Sequence, residues 1–504
     1  MRRSVVMPQA ANASEVLDVL IVGAGISGIG MACHLRETCA EQSFAILERR
    51  AAIGGTWDLF RYPGIRSDSD MFTFGYRFRP WQEPKTLSDG ASIREYLVDT
   101  AQEYGIADQI HYGQKTTRAA WSSDEACWTL TVDDEASGQT HSWRARYLVL
   151  CTGYYRYDAG HMPDFPGADR FKGQLIHPQQ WPEDLDYRNK KVVVIGSGAT
   201  AITLVPAMAE ETAHITMLQR SPSYIASLPA VDQISKTLQR WLPDRWVFGM
   251  ARKRNIHIQR LIYVAARKYP KLVRRLLLAS VRRQVGNDVD MRHFTPSYNP
   301  WDERLCVVPN GDLFKTLRSD KADIVTDHIE TFTENGIQLK SGETLEADIV
   351  ISATGLNMQM LGDIELVKDG EVQAPNQHMT YKGVLLENVP NLAAIFGYTN
   401  ASWTLKADIA ATYVCRLLQH MAAEGYRSAT PRAVDAQAQD SSIMDALNSN
   451  YVQRASHRLP RQGDKLPWRV LNHYSRDRDM LVEQPIEDGV LQFDAAADER
   501  RDAA

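Results

Sequence analysis

A chain of 504 residues is longer than one ordinary hydrophobic core organises and points to two or three domains. With 44% apolar and 24% charged residues it has the balance of a globular protein, and a net charge of −5 gives no electrostatic case for nucleic acid as a partner. The six cysteines, Cys33, Cys39, Cys127, Cys151, Cys306 and Cys415, include no Cys-x-x-Cys pair. A local redox dithiol or zinc site therefore has no support, no metal site is expected, and scattered single thiols fit a reducing, cytoplasmic setting.

The first residues carry Arg2 and Arg3 but no apolar run suited to a signal peptide. Asp18-Val-Leu-Ile-Val-Gly23 is a short apolar run ending in glycine, as a central parallel strand would be. The fingerprint Gly23-Ala-Gly25-Ile26-Ser27-Gly28 follows, then a helix over 26–37 and a strand over 44–48 that ends in Glu48. Glycines here permit a tight turn and close approach of a pyrophosphate to a helix N-terminus. Glu48 lies 20 residues beyond Gly28, where a carboxylate accepts ribose hydroxyls.

The same grammar recurs at Lys191-Val-Val-Val-Ile-Gly196. The second fingerprint is Gly196-Ser197-Gly198-Ala199-Thr200-Ala201, with a helix over 199–209 and a strand over 214–218. At its end stand Gln219-Arg220-Ser221 in place of a carboxylate. A guanidinium pairs with a 2′-phosphate that a carboxylate would repel, so Arg220 argues for NADPH, with Ser221 and Thr200 as minor phosphate or ribose contacts. Strands ending in Cys151-Thr-Gly153 and Ala353-Thr-Gly355 supply small residues for close backbone approach to a cofactor.

The expected fold is α/β, with two dinucleotide-binding, Rossmann-like domains and a helical insertion. The boundaries read as 1–152 with 382–504, 153–222 with 300–381, and the insertion at 223–299. Residues 231–285 hold 14 Lys or Arg against 2 acidic residues, a surplus of twelve positive charges. Apolar positions at helical spacing over 256–269 and 272–285 accompany them. One reading is a packed helical subdomain with a solvated basic face; another is contact with an anionic membrane surface or an acidic partner.

Between the fingerprints lies Phe171-Lys-Gly173-Gln-Leu-Ile-His177-Pro-Gln-Gln-Trp181-Pro182, and after the first stands Gly54-Gly55-Thr56-Trp57-Asp58-Leu-Phe-Arg-Tyr62-Pro63-Gly64-Ile-Arg-Ser-Asp68. Together these strings resemble the two signatures of type I Baeyer–Villiger monooxygenases, and over nearly the whole chain the sequence looks like the ethionamide-activating branch. The resemblance implies FAD at the first site and NADPH at the second. It implies that oxygen adds at the flavin C4a carbon, and that the resulting peroxide converts ketones to esters or lactones when anionic and oxidises sulfides when protonated. It assigns the catalytic arginine to Arg304, in Asn299-Pro-Trp-Asp-Glu303-Arg304, oriented by Asp68, and sets Gly55, Thr56 and Trp57 near the flavin. His177 is expected to fix the hinge or the NADPH pose by hydrogen bonds rather than to act as a base. Many members of the wider family carry lysine where Glu303 stands, so NADPH preference rests mainly on Arg220 and its margin over NADH is narrower. The implied partners are a small hydrophobic ketone or thioether and molecular oxygen. Two alternatives remain: a flavin monooxygenase that chiefly oxygenates sulfur or nitrogen, and a disulfide reductase of the same plan, which the missing dithiol disfavours.

Overall fold

The computed structural model describes residues 15–287, 289–303, 305–444 and 450–495. The expected α/β architecture is present as two sheets, each carrying one fingerprint. In the first, Val16–Val22 lies parallel to Phe44–Glu48 on one side and to Thr140–Leu150 on the other. Its inner residues Val19, Leu20 and Ile21 are fully buried, which explains a continuous apolar run in place of an alternating one. Antiparallel strands Gln114–Ser122 and Cys127–Asp134 extend this sheet beyond Thr140–Leu150. Helix Ile26–Thr38 covers one face and packs against the long helix Trp403–Glu424.

The second sheet is parallel throughout, in the order Ala322–Thr326, His214–Gln219, Lys191–Ile195, Ile349–Ser352 and Gln174–Ile176. Helix Ala199–Met208 packs on it. The chain crosses between the sheets twice, after Leu150 and after Ser352, and the two crossings pair with each other. Arg156 N donates to Asn357 O at 2.9 Å, Gln359 N to Tyr154 O at 3.0 Å and His161 N to Gly355 O at 3.0 Å. Glu365–Lys368 is already paired with Gln114–Ser122 of the first sheet, ahead of the second crossing expected near 380.

The insertion forms two long helices, Asp244–Lys268 and Pro270–Val285. They extend further than the apolar spacing indicated, and the break between them has a simple cause. Pro270 has no amide to donate and restricts the residue before it, so Tyr269 leaves helical geometry (φ −129°, ψ 56°) and a new helix begins. The first of these helices is tied to the unit that carries the first fingerprint. Asn255 and Gln259 donate to the buried Asp70 carboxylate at 2.8 and 2.7 Å, and the Arg252 guanidinium donates to the carbonyls of Phe72, Thr73 and Gly75. Among the described residues no helix is long and apolar enough to cross a membrane.

Candidate active site

The first fingerprint opens onto a cavity of about 510 Å³, within the range of small-molecule sites. Gly23, Gly25, Ile26, Ser27, Glu48, Gly55, Thr56 and Trp57 all line it, so residues separated in sequence by a helix and a strand converge on one cavity. Glycine is required for different reasons along the fingerprint. A Cβ on Gly28 would sit 1.8 Å from Gly23 O, so this position serves the contact of helix with strand and not the ligand. A Cβ on Gly25 would find ordinary contact only, 3.6 Å from Gly55 Cα, and its cost would fall on whatever approaches from the cavity.

Glu48 is buried at the cavity wall. Its carboxylate accepts the Ala24 amide at 2.7 Å and the Arg50 amide at 2.8 Å. Burial raises its pKa, and those two backbone hydrogen bonds pull against the rise. Each carboxylate oxygen keeps a second acceptor site, so the group can brace the turn and still receive a ribose hydroxyl.

Sequence reasoning marked 151–153 for close backbone approach and expected the 398–406 stretch to approach the flavin or substrate, but it assigned no contacts there and did not find the rest of the cavity wall. Trp403, at the start of the long helix, donates from its indole to Ser27 Oγ at 2.7 Å and lies 5.3 Å from Tyr154. Residues 114–117 and 151–158 also line the cavity, and Arg49 is held there by Asp158 at 2.5 Å and Glu135 at 3.1 Å. These contacts join distant parts of the chain, and no local spacing announces them.

The second string, 54–68, does two jobs. Its first half lines the cavity; its second half seats the other nucleotide unit. Leu59, Phe60 and Tyr62 belong to the hydrophobic core of the second sheet, and the Tyr62 hydroxyl is hydrogen bonded to Thr200 in the second fingerprint. Gly64, at φ 75°, lies so close to helix Ala199–Met208 that a Cβ there would be 2.7 Å from Ala207 Cβ. Arg66 completes the contact through an ion pair with Asp312 at 2.7 Å. Asp68 is half-buried beside this junction and contributes electrostatically at Tyr62. Arg304 lies outside the described residues.

At the second fingerprint, Gly196 adopts φ 144°, where a Cβ would be 2.4 Å from Ala353 O. A Cβ on Gly198 would meet nothing within 4 Å. That open cradle, at the N-terminus of helix Ala199–Met208, fits a phosphate group that must come close to backbone. Ser197 Oγ pairs with Ser223 Oγ at 3.0 Å, a partner that spacing alone did not indicate. Arg220 and Ser221 are exposed just past strand His214–Gln219. The Arg220 guanidinium acts on the Glu303 carboxyl: burial raises the Glu303 pKa, and Arg220 opposes that rise. The cation expected to take a 2′-phosphate thus has an acidic neighbour.

His177 does not line the cavity. Its Nδ1 accepts the Gln179 amide at 3.1 Å, which leaves Nε2 to donate to Gly355 O at 3.0 Å. Burial lowers its pKa, and the hydrogen bond to Gly355 resists that drop. Gly160 lies directly against the ring, since a Cβ there would be 1.9 Å from the imidazole. Gln179 extends the same latch by donating to Arg156 O and Tyr157 O. The 171–182 string is therefore a fastening on the paired crossings. Within it Phe171 packs on Phe332, and Trp181 packs at the edge of the second core near Tyr187.

With this geometry, comparison with known proteins gives a consistent result. The flavin-binding monooxygenase-like family model matches residues 17–419. The chain is 63% identical over 489 residues to MymA of Mycobacterium tuberculosis, covering 96% of this chain and 99% of MymA. It is 50% identical over 486 residues to the FAD-containing monooxygenase EthA of Mycolicibacterium smegmatis, covering 95% and 97%. Among solved structures, oxidized steroid monooxygenase bound to NADP superposes with a TM-score of 0.77 at 21% identity, covering 96% of this chain and 100% of that one. OTEMO in complex with FAD and NADP gives 0.69 at 21% identity, covering 83% and 88%. These two likenesses establish the shared fold.

Proposed function

Because the chain belongs to the flavin-binding monooxygenase-like family, we propose that it is an FAD- and NADPH-dependent oxygenase that converts ketones to esters or lactones, with sulfoxidation as a side activity. The balance is one ketone, one O2, one NADPH and one proton giving one ester, one NADP+ and one water. When bound, the reduced flavin supplies the activated oxygen. The protein's own residues bind, orient and shield.

Glu48, Gly25 and Thr56 hold the flavin's nucleotide end, while Trp57 and Trp403 wall the cavity. Gly198 and the helix start behind it receive the nicotinamide pyrophosphate, and Arg220 takes the 2′-phosphate. By the resemblance, Asp68 would orient Arg304, and an arginine, charged near neutrality, would stabilise negative charge that develops on oxygen during the insertion. Closing such a site against water protects the activated oxygen from loss as hydrogen peroxide.

The preference for insertion next to a carbonyl over oxygenation of soft nucleophiles rests on the resemblance of the 171–182 string, with its Trp-Pro ending, and of Asp68 with Arg304, and one observation supports the cooperation of two cofactors that either reaction needs. The 54–68 string both lines the first cavity and carries the second nucleotide unit, through Tyr62 with Thr200 and Gly64 against Ala207. Asp68 is thereby positioned at the junction where two cofactors would have to cooperate. The deciding experiment is product analysis with a panel of ketones beside a thioether, NADPH and oxygen. An ester or lactone that disappears in Arg304→Ala supports the proposal. Sulfoxide alone, with ketones returned unchanged, overturns the ketone reading and leaves an S-oxygenating flavoenzyme.

A further inference from the structure

Among the described residues, twelve of the seventeen exposed large hydrophobic side chains fall between Leu228 and Leu276, a tenth of the chain. Trp241 is 83% exposed, Leu261 68%, Leu276 61% and Trp246 59%. Scattered singly, such residues need no explanation; concentrated in this way they mark a contact surface.

Their helical placement is regular. Trp246 and Val264 lie 18 residues apart on Asp244–Lys268, five full turns, with Met250 and Leu261 near the same line. On the next helix Leu272 and Leu276 are one turn apart. Bases flank these positions directly: Arg245 beside Trp246, Arg260 beside Leu261, Lys271 beside Leu272 and Arg275 beside Leu276, every one of them exposed.

We propose that these two helices dock the protein on an anionic lipid surface. Charge and chemistry together select this occupant. An acidic protein or a nucleic acid would match the bases and leave the indole and leucine side chains in water. A second copy would bring one surplus of positive charge against another. A bilayer with acidic headgroups satisfies both sets at once, the bases at the phosphates and the apolar tips among the upper acyl carbons. The docking face is rigidly coupled to the flavin-side unit, because Arg252, Asn255 and Gln259 on its first helix bind the segment at Asp70–Gly75, which also supplies Phe74 to the cavity wall. The surface is independent of which substrate the cavity oxidises.

The test uses the full-length, flavin-loaded protein and vesicles of phosphatidylcholine, alone or with one-third phosphatidylglycerol, separated by sedimentation. Binding to the anionic vesicles should exceed binding to the neutral ones by about tenfold at low salt and fall steeply toward about 1 M salt, where screening acts over roughly 3 Å. The variant Trp246→Ser/Leu261→Ser/Leu272→Ser, and separately Lys271→Glu/Arg275→Glu, should each lose most of this binding while retaining flavin and melting temperature, since all five side chains are exposed. The charge-reversed variant decides the matter if the serine variant misfolds. Failure to bind anionic vesicles overturns the proposal. So does binding that neither variant weakens. Lipid-free dimers that the same substitutions disperse, with no vesicle binding, would identify the face as a self-association surface and overturn it equally.

Discussion

His177 Nε2 donates to the Gly355 carbonyl at 3.0 Å while His177 Nδ1 accepts the Gln179 amide, so one neutral imidazole joins the 171–182 string to the second crossing between the two sheets. Replacing it with a ring that fills the space but cannot hydrogen bond leaves two backbone groups unpaired. His177→Phe should lose about 2–4 kcal/mol in urea unfolding. A second readout separates this from simple packing damage. A buried histidine whose folded pKa is depressed adds no pH dependence above its unfolded value. As the pH falls below about 6.5 the unfolded chain takes up a proton first, and stability declines until the folded pKa is passed. That slope should be present in the wild type and reduced in His177→Phe. The product should be unchanged, as expected of a fastening and not of a base.

Gly198 and Gly28 should respond oppositely to the same alanine substitution. At Gly198 the backbone (φ −85°) suits any residue, and the added methyl enters open space. Gly198→Ala should therefore fold, retain flavin and raise the NADPH KM by about tenfold, because the methyl stands where a phosphate must approach. Gly28→Ala meets Gly23 O at 1.8 Å and should lose flavin and soluble expression together. Flavin content and KM in parallel distinguish the two.

Arg220→Ala should raise the NADPH KM by about 10- to 100-fold and that of NADH little, the loss of a charge-assisted phosphate contact. Glu303→Gln should act in the other direction. Removing the carboxyl that Arg220 faces frees the guanidinium for the 2′-phosphate and should lower the NADPH KM by a few fold. Equal effects on both nucleotides would remove Arg220 from the phosphate site.

Gly64→Ala tests the junction of the two units. A left-handed φ of 75° and a methyl 2.7 Å from Ala207 Cβ should together cost about 1–3 kcal/mol. The flavin cavity lies on the other half of the same string, so flavin retention should persist while the rate of flavin reduction by NADPH, followed by stopped-flow absorbance, falls.

Asp408 sets an acid limit on stability. Burial alone would raise its carboxyl, but the hydrogen bond from His34 at 3.0 Å and the charges of Arg77 and Arg252 overcome that and hold its pKa at about 2. An unfolded aspartate titrates near 3.9, so this contribution is complete above about pH 4 and disappears as the pH falls through about 2. Asp408→Asn should flatten unfolding free energy against pH across that window.

Much of this architecture could be read directly because its determinants are local. The runs at Val16–Val22 and Lys191–Ile195 are apolar throughout since both faces of those strands are covered, and each ends in a glycine whose conformation or close contact only glycine supports. Glu48 and Arg220 occupy strand ends fixed by that same grammar. What escaped is long-range. Trp403 meets Ser27 across 376 residues, and nothing near either one signals the hydrogen bond. Asp70 caps a four-residue helix and anchors the insertion, yet in sequence it is one more aspartate after a recognisable string. Glu365–Lys368 returns to the first sheet as a short edge strand with too few residues to show a period. For the 54–68 string, resemblance pointed to the flavin, whereas its second half owes its residues to an encounter with helix Ala199–Met208.

The two crossings run side by side as a hydrogen-bonded pair, with Tyr155 opposite Met358. Such a pair acts as an axle. It resists separation and sliding, because either would break the rungs between Tyr154–Gln359 and Arg156–Asn357, but it yields to torsion. If one nucleotide unit reorients over the other once the Gly64 and Arg66 contacts release, this pair should confine the movement to an arc of nearly constant radius about a single line. Inserting one residue into either crossing would put the rungs out of step and tilt that line, misaiming both cofactors without touching a residue that binds either.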